Sequence, residues 1–277
     1  TDDSTTTTQQ LAGENLRVVQ NDLDAANRWA DRIWQLLFNP AKCKVLHLGR
    51  RNLHHVYTMG GSTLEETDVE RDLGVLMDGD LKFRKQAAAA VGKASQVMAV
   101  IRRSFNLLDR TTLPLLIKTL VRPHLEYGNL VWGPFNRADQ QLLERVQRRA
   151  TKLVTDLRHR PYQERLRELQ LPSLYYRRQR GDMIAVFQIL HGGLDMDPEL
   201  LFHRADARGR DLRGHPWRLA KPRAVSRIRR NAFSTRVINE WNSLPPAVVN
   251  AETLNQFKNR LDAHWAHLIH AIPHADN

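Results

Sequence analysis

The spacing of apolar residues changes at one place, and that change limits what the chain can fold into. The place is residues 69–83, VERDLGVLMDGDLKF. Before it, short alternating runs are mixed with helical ones. After it, apolar residues recur every three or four positions almost to the end, the period of helices. The stretch itself carries a short apolar core, Leu73, Gly74, Val75 and Leu76, between two acidic turns. Gly74 lies inside a β-like run, where a residue without a Cβ marks a bulge or the close approach of another backbone. Two readings stand: a loop that holds a polymer strand, or an ordinary twisted hairpin.

Upstream, Asp2 and Asp3 open the chain and are followed by the β-branched run 5–8. Adjacent carboxylates near a chain end are ordinarily just solvated. Asn21 and Asp22 are good helix caps, and Leu23, Ala26, Ala30, Ile33 and Leu37 follow at helical spacing with Trp29 and Trp34 alongside. Asn39 and Pro40 should end that helix. Residues 42–48, KCKVLHL, alternate like a strand, and a second short strand at 56–59 turns at Gly60 and Gly61. Lys42, at the base of the first strand, could offer its ammonium group to a phosphate or be an ordinary surface lysine.

Downstream, residues 86–105 predict a helix with Val91, Ala94, Met98 and Ile101 on one stripe and Arg102 and Arg103 at its negative end. Asp109 or Thr111 caps the next, apolar on most sides, and Pro123 should kink or end it. In the helix after Asn136, Leu142, Leu143, Val146, Ala150 and Leu153 face inward while Arg145, Arg148, Arg149 and Lys152 project outward. Two more helices, 161–169 and 173–190, follow, the second bearing Arg177, Arg178 and Arg180. Residues 203–232 are Arg-rich, lack a period and read as a loop or extended arm, partly disordered without a partner. Helical patterns return at 233–244 and 252–265. His264, His267, His270 and His274 cluster near the end, without the carboxylate or thiol spacing of a metal site.

The charge is placed as unevenly as the period. Residues 1–100 hold 12 Lys and Arg against 13 Asp and Glu, so of the totals, 42 and 30, the remainder holds 30 against 17. The whole excess of +12 therefore belongs to the helical part. Arginine dominates there, and its planar fork matches phosphate oxygens. A nucleic-acid backbone is the partner this implies, a merely soluble basic surface the alternative. Cys43 is the only cysteine, which excludes an intramolecular disulfide and a cysteine zinc site and suits a reducing compartment. No run approaches the roughly 18 to 20 apolar residues of a membrane span, so no membrane partner is expected. TDDSTTTT lacks the features of a signal peptide, and a start without Met reads as a piece of something longer. No Gly-rich phosphate loop, zincin motif or nucleophile elbow is present.

The ordered motifs TDD (1–3), FNPAKC (38–43), RDLGVLMD (71–78), LVRPHLEYGNLVWGP (120–134), LLERVQRRATK (142–152), ERLRELQLPSL (164–174), RRQRGD (177–182) and FSTRVINEWNSLP (233–245) carry a resemblance. The chain resembles, over nearly its whole length, the C-terminal part of the reverse transcriptase of non-LTR, LINE-type retrotransposons, particularly the chicken-repeat and jockey-like branches. The resemblance implies an α+β, mostly helical fold: a small antiparallel palm remnant (1–82), a helical thumb bundle (83–157) and a basic helical C-terminal region (158–277) with an irregular arm at 203–232. It implies that Asp2 and Asp3 close an aromatic-x-Asp-Asp turn. In the intact enzyme that turn helps hold two Mg2+ ions at the primer 3′ end, where metal activates the attacking hydroxyl and neutralises the leaving pyrophosphate. Lys42 then stands near the leaving group as proton donor or charge clamp. Residues 71–77 become the primer grip, with Leu73, Gly74 and Val75 seating the primer. The partners implied are an RNA template and DNA primer as a duplex, and the element RNA, in a ribonucleoprotein of nucleus and cytoplasm.

The departures matter as much. The aromatic residue before TDD, the fingers, the other metal-binding aspartate and most of the palm are missing, and residues 5–8 are more polar than the family's strand after the dyad. A C-terminal cysteine knuckle, found in some relatives, is excluded. The expectation is a chain that binds primer–template but does not polymerise by itself. The alternatives are a nucleic-acid-binding protein derived from a decayed element, and an interaction module whose apolar helices pair with another chain.

Overall fold

Helical structure begins far earlier than caps at Asn21 and Asp22 would place it: the first helix, α1, runs Asp3–Trp29. The computed structural model describes residues 3–49, 52–205 and 214–272, with side chains from Leu16 onward. It divides into two compact units, Thr1–Leu81 and Lys82–Asn277, and is mostly helical with short strands.

In the first unit, the strand that the resemblance implies after the dyad is absent, because residues 5–8 belong to α1. The expected buried stripe also fails beyond Ala30. There the helix widens into a π-helical turn, Ala30–Trp34, which Gln35 ends in the left-handed region at φ 51°. The wider turn shifts the phase of the stripe. Ala30 is buried, whereas Ile33, Trp34 and Leu37 are more than half exposed. Gln20 ties α1 to the next strands by acting as a strand neighbour: its Nε2 donates to the Thr58 carbonyl (2.9 Å) and its Oε1 accepts from the Thr58 N–H (3.0 Å).

Among the described residues, six strands form three two-stranded ladders. β1 (Lys44–Leu46), shorter than the predicted 42–48, pairs in parallel with β4 (Glu65–Thr67), in the register Lys44↔Glu65, Val45↔Glu66, Leu46↔Thr67. The strand pairing of the first unit is therefore not wholly antiparallel. β2 (Thr58–Met59) and β3 (Ser62–Thr63) make the hairpin predicted at Gly60 and Gly61. β5 (Val69–Asp72) and β6 (Val75–Asp78) are antiparallel and joined by Leu73 and Gly74 alone. Below them the Gly49 N–H donates to the Gly79 carbonyl (2.8 Å), and a Cβ on Gly79 would lie 2.8 Å from the His47 carbonyl oxygen. Only glycine fits that approach.

In the second unit, α2 (Arg84–Ser104) packs its small residues Ala87, Ala90 and Ala94 inward. Asp109 caps the next helix, its carboxylate accepting from the N–H groups of Thr111 and Thr112 (2.9 and 2.6 Å). That helix, α3 (Thr112–Leu116), does not stop at Pro123. It passes through a π-helical turn, Ile117–Val121, into α4 (Arg122–Glu126), so the irregular turn directly precedes Pro123, which cannot donate an N–H to the ladder. Leu113, Ile117, Val121 and Leu125 are buried at four-residue intervals, while Leu115 and Leu120 face out, so the segment is amphipathic rather than apolar all round.

After α5 (Asn129–Trp132) come α6 (Arg137–Ala150), α7 (Tyr162–Glu168) and α8 (Leu174–Leu190). A buried polar group links them. The Glu144 carboxylate accepts from the Tyr162 hydroxyl (2.6 Å) and from the Leu174 and Tyr175 N–H groups (3.3 and 3.2 Å), while Ser173 Oγ accepts from the Tyr176 N–H (3.1 Å). An acidic side chain of α6 thus occupies the positive N-terminal end of α8. Beside it, the Gln147 amide oxygen accepts from Arg122, whose guanidinium also reaches the Pro172 carbonyl (3.0 Å). Burial, then the neighbouring Arg177 charge, pushes the Arg122 pKa down to about 10. The helices before and after residue 157 therefore share one unit.

The rest of α8 anchors a second core. After α9 (Arg227–Asn231) and α10 (Phe233–Arg236), Met183, Val186, Phe187 and Ile189 pack with Trp241 of α11 (Ile238–Ser243), Val248 and Val249 of α12 (Pro246–Val249), Phe257 and Leu261 of α13 (Leu254–His264), and Trp265 beyond it. The described part of the predicted arm is folded onto this core. His215 and Leu219 are buried, the Leu219 N–H donates to Asn242 Oδ1 (2.8 Å), and Trp241 Nε1 donates to the Trp217 carbonyl (2.8 Å). Side-chain-to-backbone bonds hold this segment, which explains its lack of a period.

Two outcomes are expected. Glu144→Ala leaves a buried hydroxyl and two buried N–H groups without an acceptor, at about 1–3 kcal/mol per group. Chemical denaturation should show the second unit destabilised by at least about 2 kcal/mol, with Glu144→Gln milder. The second concerns Asp262 on α13, which accepts from Arg180 (2.5 and 2.8 Å) and Tyr176 (2.8 Å) on α8. Burial raises its pKa, but the Arg180 and Tyr176 hydrogen bonds outweigh this and hold it below the usual carboxylate range. A depressed folded pKa gives stability that is present above the unfolded value and lost as pH falls through the folded one. Stability measured against pH should therefore fall less steeply on the acid side for Asp262→Asn than for the wild type.

Candidate nucleic-acid interface

Helix α6 separates its residue types by face. Leu143, Val146 and Ala150 are buried and Leu142 and Leu153 half-buried, whereas Arg145, Arg148, Arg149 and Lys152 are all exposed, Lys152 in the turn after the helix. The helical period places the four cations side by side, as the spacing predicts. Between α2 and α6 runs a groove of about 380 Å³ with Met98, Ala99, Val146 and Leu153 on its walls and Arg102, Arg149 and Lys152 among them. Arg149 Nη2 donates to Ser95 Oγ (3.1 Å), which holds one guanidinium across the groove. Arg148 lies over the Tyr162 ring, 4.9 Å from its centroid. Apolar walls with a cationic margin can receive a sugar–phosphate backbone by charge and the less polar parts of a nucleotide by contact. In the sequence Arg102 is legible only as a helix-end charge; its place in the groove comes from the packing of α2 on α6.

Arg177 and Arg178 do not join this face. Arg177 makes a two-pronged pair with Glu126, Nη2 to Oε2 at 2.6 Å and Nε to Oε1. Arg178 is 8 % exposed, its Nη2 has no hydrogen-bond partner, and burial pushes its pKa down. It lines a recess of about 180 Å³ with Asp182 and Arg236, which pair with each other at 3.0 Å. Asp182 is itself held above the usual carboxylate range by burial, against the pull of Arg236. Against the expectation that both touch nucleic acid, Arg178 is buried and Arg177 is half-buried against Glu126, so neither stands on an open face like that of α6.

In the first unit, Leu73 and Gly74 form the tip of the β5–β6 hairpin with φ of 43° and 85°. Positive φ at both central residues is the mark of a two-residue type I′ turn, so no bulge is present. Leu73 is 85 % exposed. Val75 is 5 % exposed and belongs to the core, which removes it from the candidate contact residues. Arg71 Nη1 donates to the Gly74 carbonyl (3.2 Å), bracing the tip. Lys42 is exposed and ends a single 3-10 turn, Pro40–Lys42, capped by Asn39 Oδ1 on the Ala41 N–H (3.1 Å); it lies ahead of the strand rather than in it.

Asp2 lies outside the described residues. Asp3 is the first residue of α1, not part of a turn between strands, and its side chain is not described. Among the described residues, the sole gathering of three His, Cys, Asp or Glu ligand atoms is His47, His54 and Glu66. Two imidazoles do not suit Mg2+, which takes oxygen ligands, so this gathering is not the magnesium site expected at Asp2 and Asp3. His264 and His267 are exposed and His270 half-buried, and His274 lies outside the described residues. No described helix is long and apolar enough to cross a membrane.

If the α6 face carries phosphate contacts, Arg149→Ala or Lys152→Ala should weaken binding of an RNA–DNA duplex and lower the slope of log affinity against log salt by about 1 each. Arg177→Ala should instead lower thermal stability and leave that slope unchanged. Fluorescence anisotropy across a salt series, with a melt of each variant, measures both.

No family model, curated protein or solved structure matches the chain.

Proposed function

We propose that this chain is the primer–template-holding C-terminal part of an RNA-directed DNA polymerase of the non-LTR, LINE type, with palm end, thumb and C-terminal region in that order. The observation that carries the reading is the division of arginines in the second unit. On α8, Arg177 and Arg180 are paired with Glu126 and Asp262 and Arg178 is buried, whereas Arg145, Arg148, Arg149 and Lys152 of the α6 face stay exposed, Arg149 and Lys152 lining an apolar groove together with Arg102. A merely soluble basic surface has no reason to gather Arg102, Arg149 and Lys152 along such a groove. The hairpin tip supports the reading separately. A non-glycine residue with positive φ costs about 1–2 kcal/mol, and Leu73 bears that strain while presenting an apolar side chain to solvent.

In this proposal the α6 face holds the duplex backbone, the Leu73–Gly74 tip seats the primer, and polymerisation requires protein that supplies the remaining metal-binding carboxylate and the fingers. A primer-extension assay decides between holding and synthesis. The chain alone, given Mg2+, dNTPs and a primed RNA template, should retain the duplex and incorporate no nucleotide; sustained incorporation contradicts the division of labour. A second reading has its own observation. Trp29, Ile33, Trp34, Leu36 and Leu37 form an exposed apolar run at the end of α1, and self-association that resists salt, without affinity for nucleic acid, would favour an interaction module instead.

A further inference from the structure

The first unit contains a cluster to which the proposed function gives no role. His47 immediately follows β1, Glu66 sits on β4, and His54 comes from the segment between β1 and β2. The ligand atoms of the three lie within 4.8 Å of one another. His54 Nδ1 is 2.5 Å from Glu66 Oε1, and the His47 and His54 rings are 4.8 Å apart at 57°. We propose that His47, His54 and Glu66 bind a first-row transition-metal ion, with Zn2+ as the best fit.

The backbone sets up this convergence. The parallel β1–β4 ladder pairs Val45 with Glu66, which brings the carboxylate beside the end of β1, where His47 follows. The Asn52 side chain accepts from the His54 N–H (3.0 Å), and His54 takes the left-handed conformation at φ 50°, which turns the chain back toward β4. A plain ion pair would need only one histidine beside Glu66. A second imidazole in contact with the first gains nothing from that pair, but it supplies the third ligand of a metal. Tetrahedral zinc with bonds of about 2.0–2.2 Å holds its ligand atoms roughly 3.3 Å apart. The three side chains are half-buried or exposed, so small rotamer changes close the remaining distance. Two nitrogens and one carboxylate oxygen are one of the donor sets of three-ligand zinc sites, with water in the fourth position. The same set disfavours Mg2+ and Ca2+, which take oxygen, and Cu+, which prefers sulfur. A bound ion would fasten the loop bearing His54 to the β1–β4 ladder, a clasp independent of the cationic face on the other unit.

The test uses the untagged full chain, stripped with chelator and titrated with Zn2+ by calorimetry and with Co2+ by visible absorption. One tightly bound equivalent is expected, with the intense d–d bands of four- or five-coordinate Co2+. His47→Ala, His54→Ala and Glu66→Ala should each weaken Zn2+ by at least about tenfold, with circular dichroism confirming that each variant remains folded. The combined His264→Ala, His267→Ala and His270→Ala variant should keep the equivalent. X-ray absorption at the zinc edge of the unmodified protein gives an answer that requires no variant and should report two imidazoles bound to the metal. Affinity that survives loss of all three proposed ligands, loss of the equivalent in the C-terminal variant, or a metal without imidazole ligands would each overturn the assignment.

Discussion

The second unit depends on one buried carboxylate. Glu144 is 3 % exposed and sits where α6, α7 and the start of α8 meet. A charge in that position is costly unless hydrogen bonds replace its water. Here a tyrosine hydroxyl and two backbone N–H groups do so, and the N-terminal end of α8 adds a favourable dipole. These contacts satisfy N–H groups that every helix start leaves without an intrahelical partner. The arrangement fixes where α8 enters the core, and hence which sides of α6 and α8 face inward.

That packing decides which arginines remain accessible. On α6, the side that bears Glu144, Val146 and Gln147 is sealed against its neighbours, leaving Arg145, Arg148, Arg149 and Lys152 outside. On α8 the same docking turns Arg177 toward Glu126 and Arg180 toward Asp262. Burial of a guanidinium is tolerated where a carboxylate faces it in bidentate geometry. Arg178, with one nitrogen left without a partner beside a small recess, marks the place where this compensation is incomplete.

Parts of this were legible in the residues. The hairpin at Gly60 and Gly61, the β5–β6 hairpin around Gly74, the Asp109 cap and the two-sided character of α6 all follow from local patterns, because each depends on neighbours within a few positions. Other features were not legible. The phase of the apolar stripe after Ala30 is lost in a π-helical turn that leaves no clear mark in composition. The β1–β4 pairing is parallel and joins residues about twenty positions apart, so nothing local announces it. His47, His54 and Glu66 stand in no recognised metal-ligand spacing, and only that ladder brings them together.

By itself the sequence determined that the chain is mostly helical beyond residue 83, that its positive charge lies there, and that four cations share one side of a helix. Periodicity and charge are local quantities, readable without knowing what packs against what. Only the tertiary structure decided that the equally basic α8 pairs Arg177 and Arg180 with carboxylates instead of presenting them on an open face. Their partners, Glu126 and Asp262, lie 51 and 82 residues away in the chain, and whether a guanidinium faces water or a carboxylate is settled by a contact no short window of sequence contains.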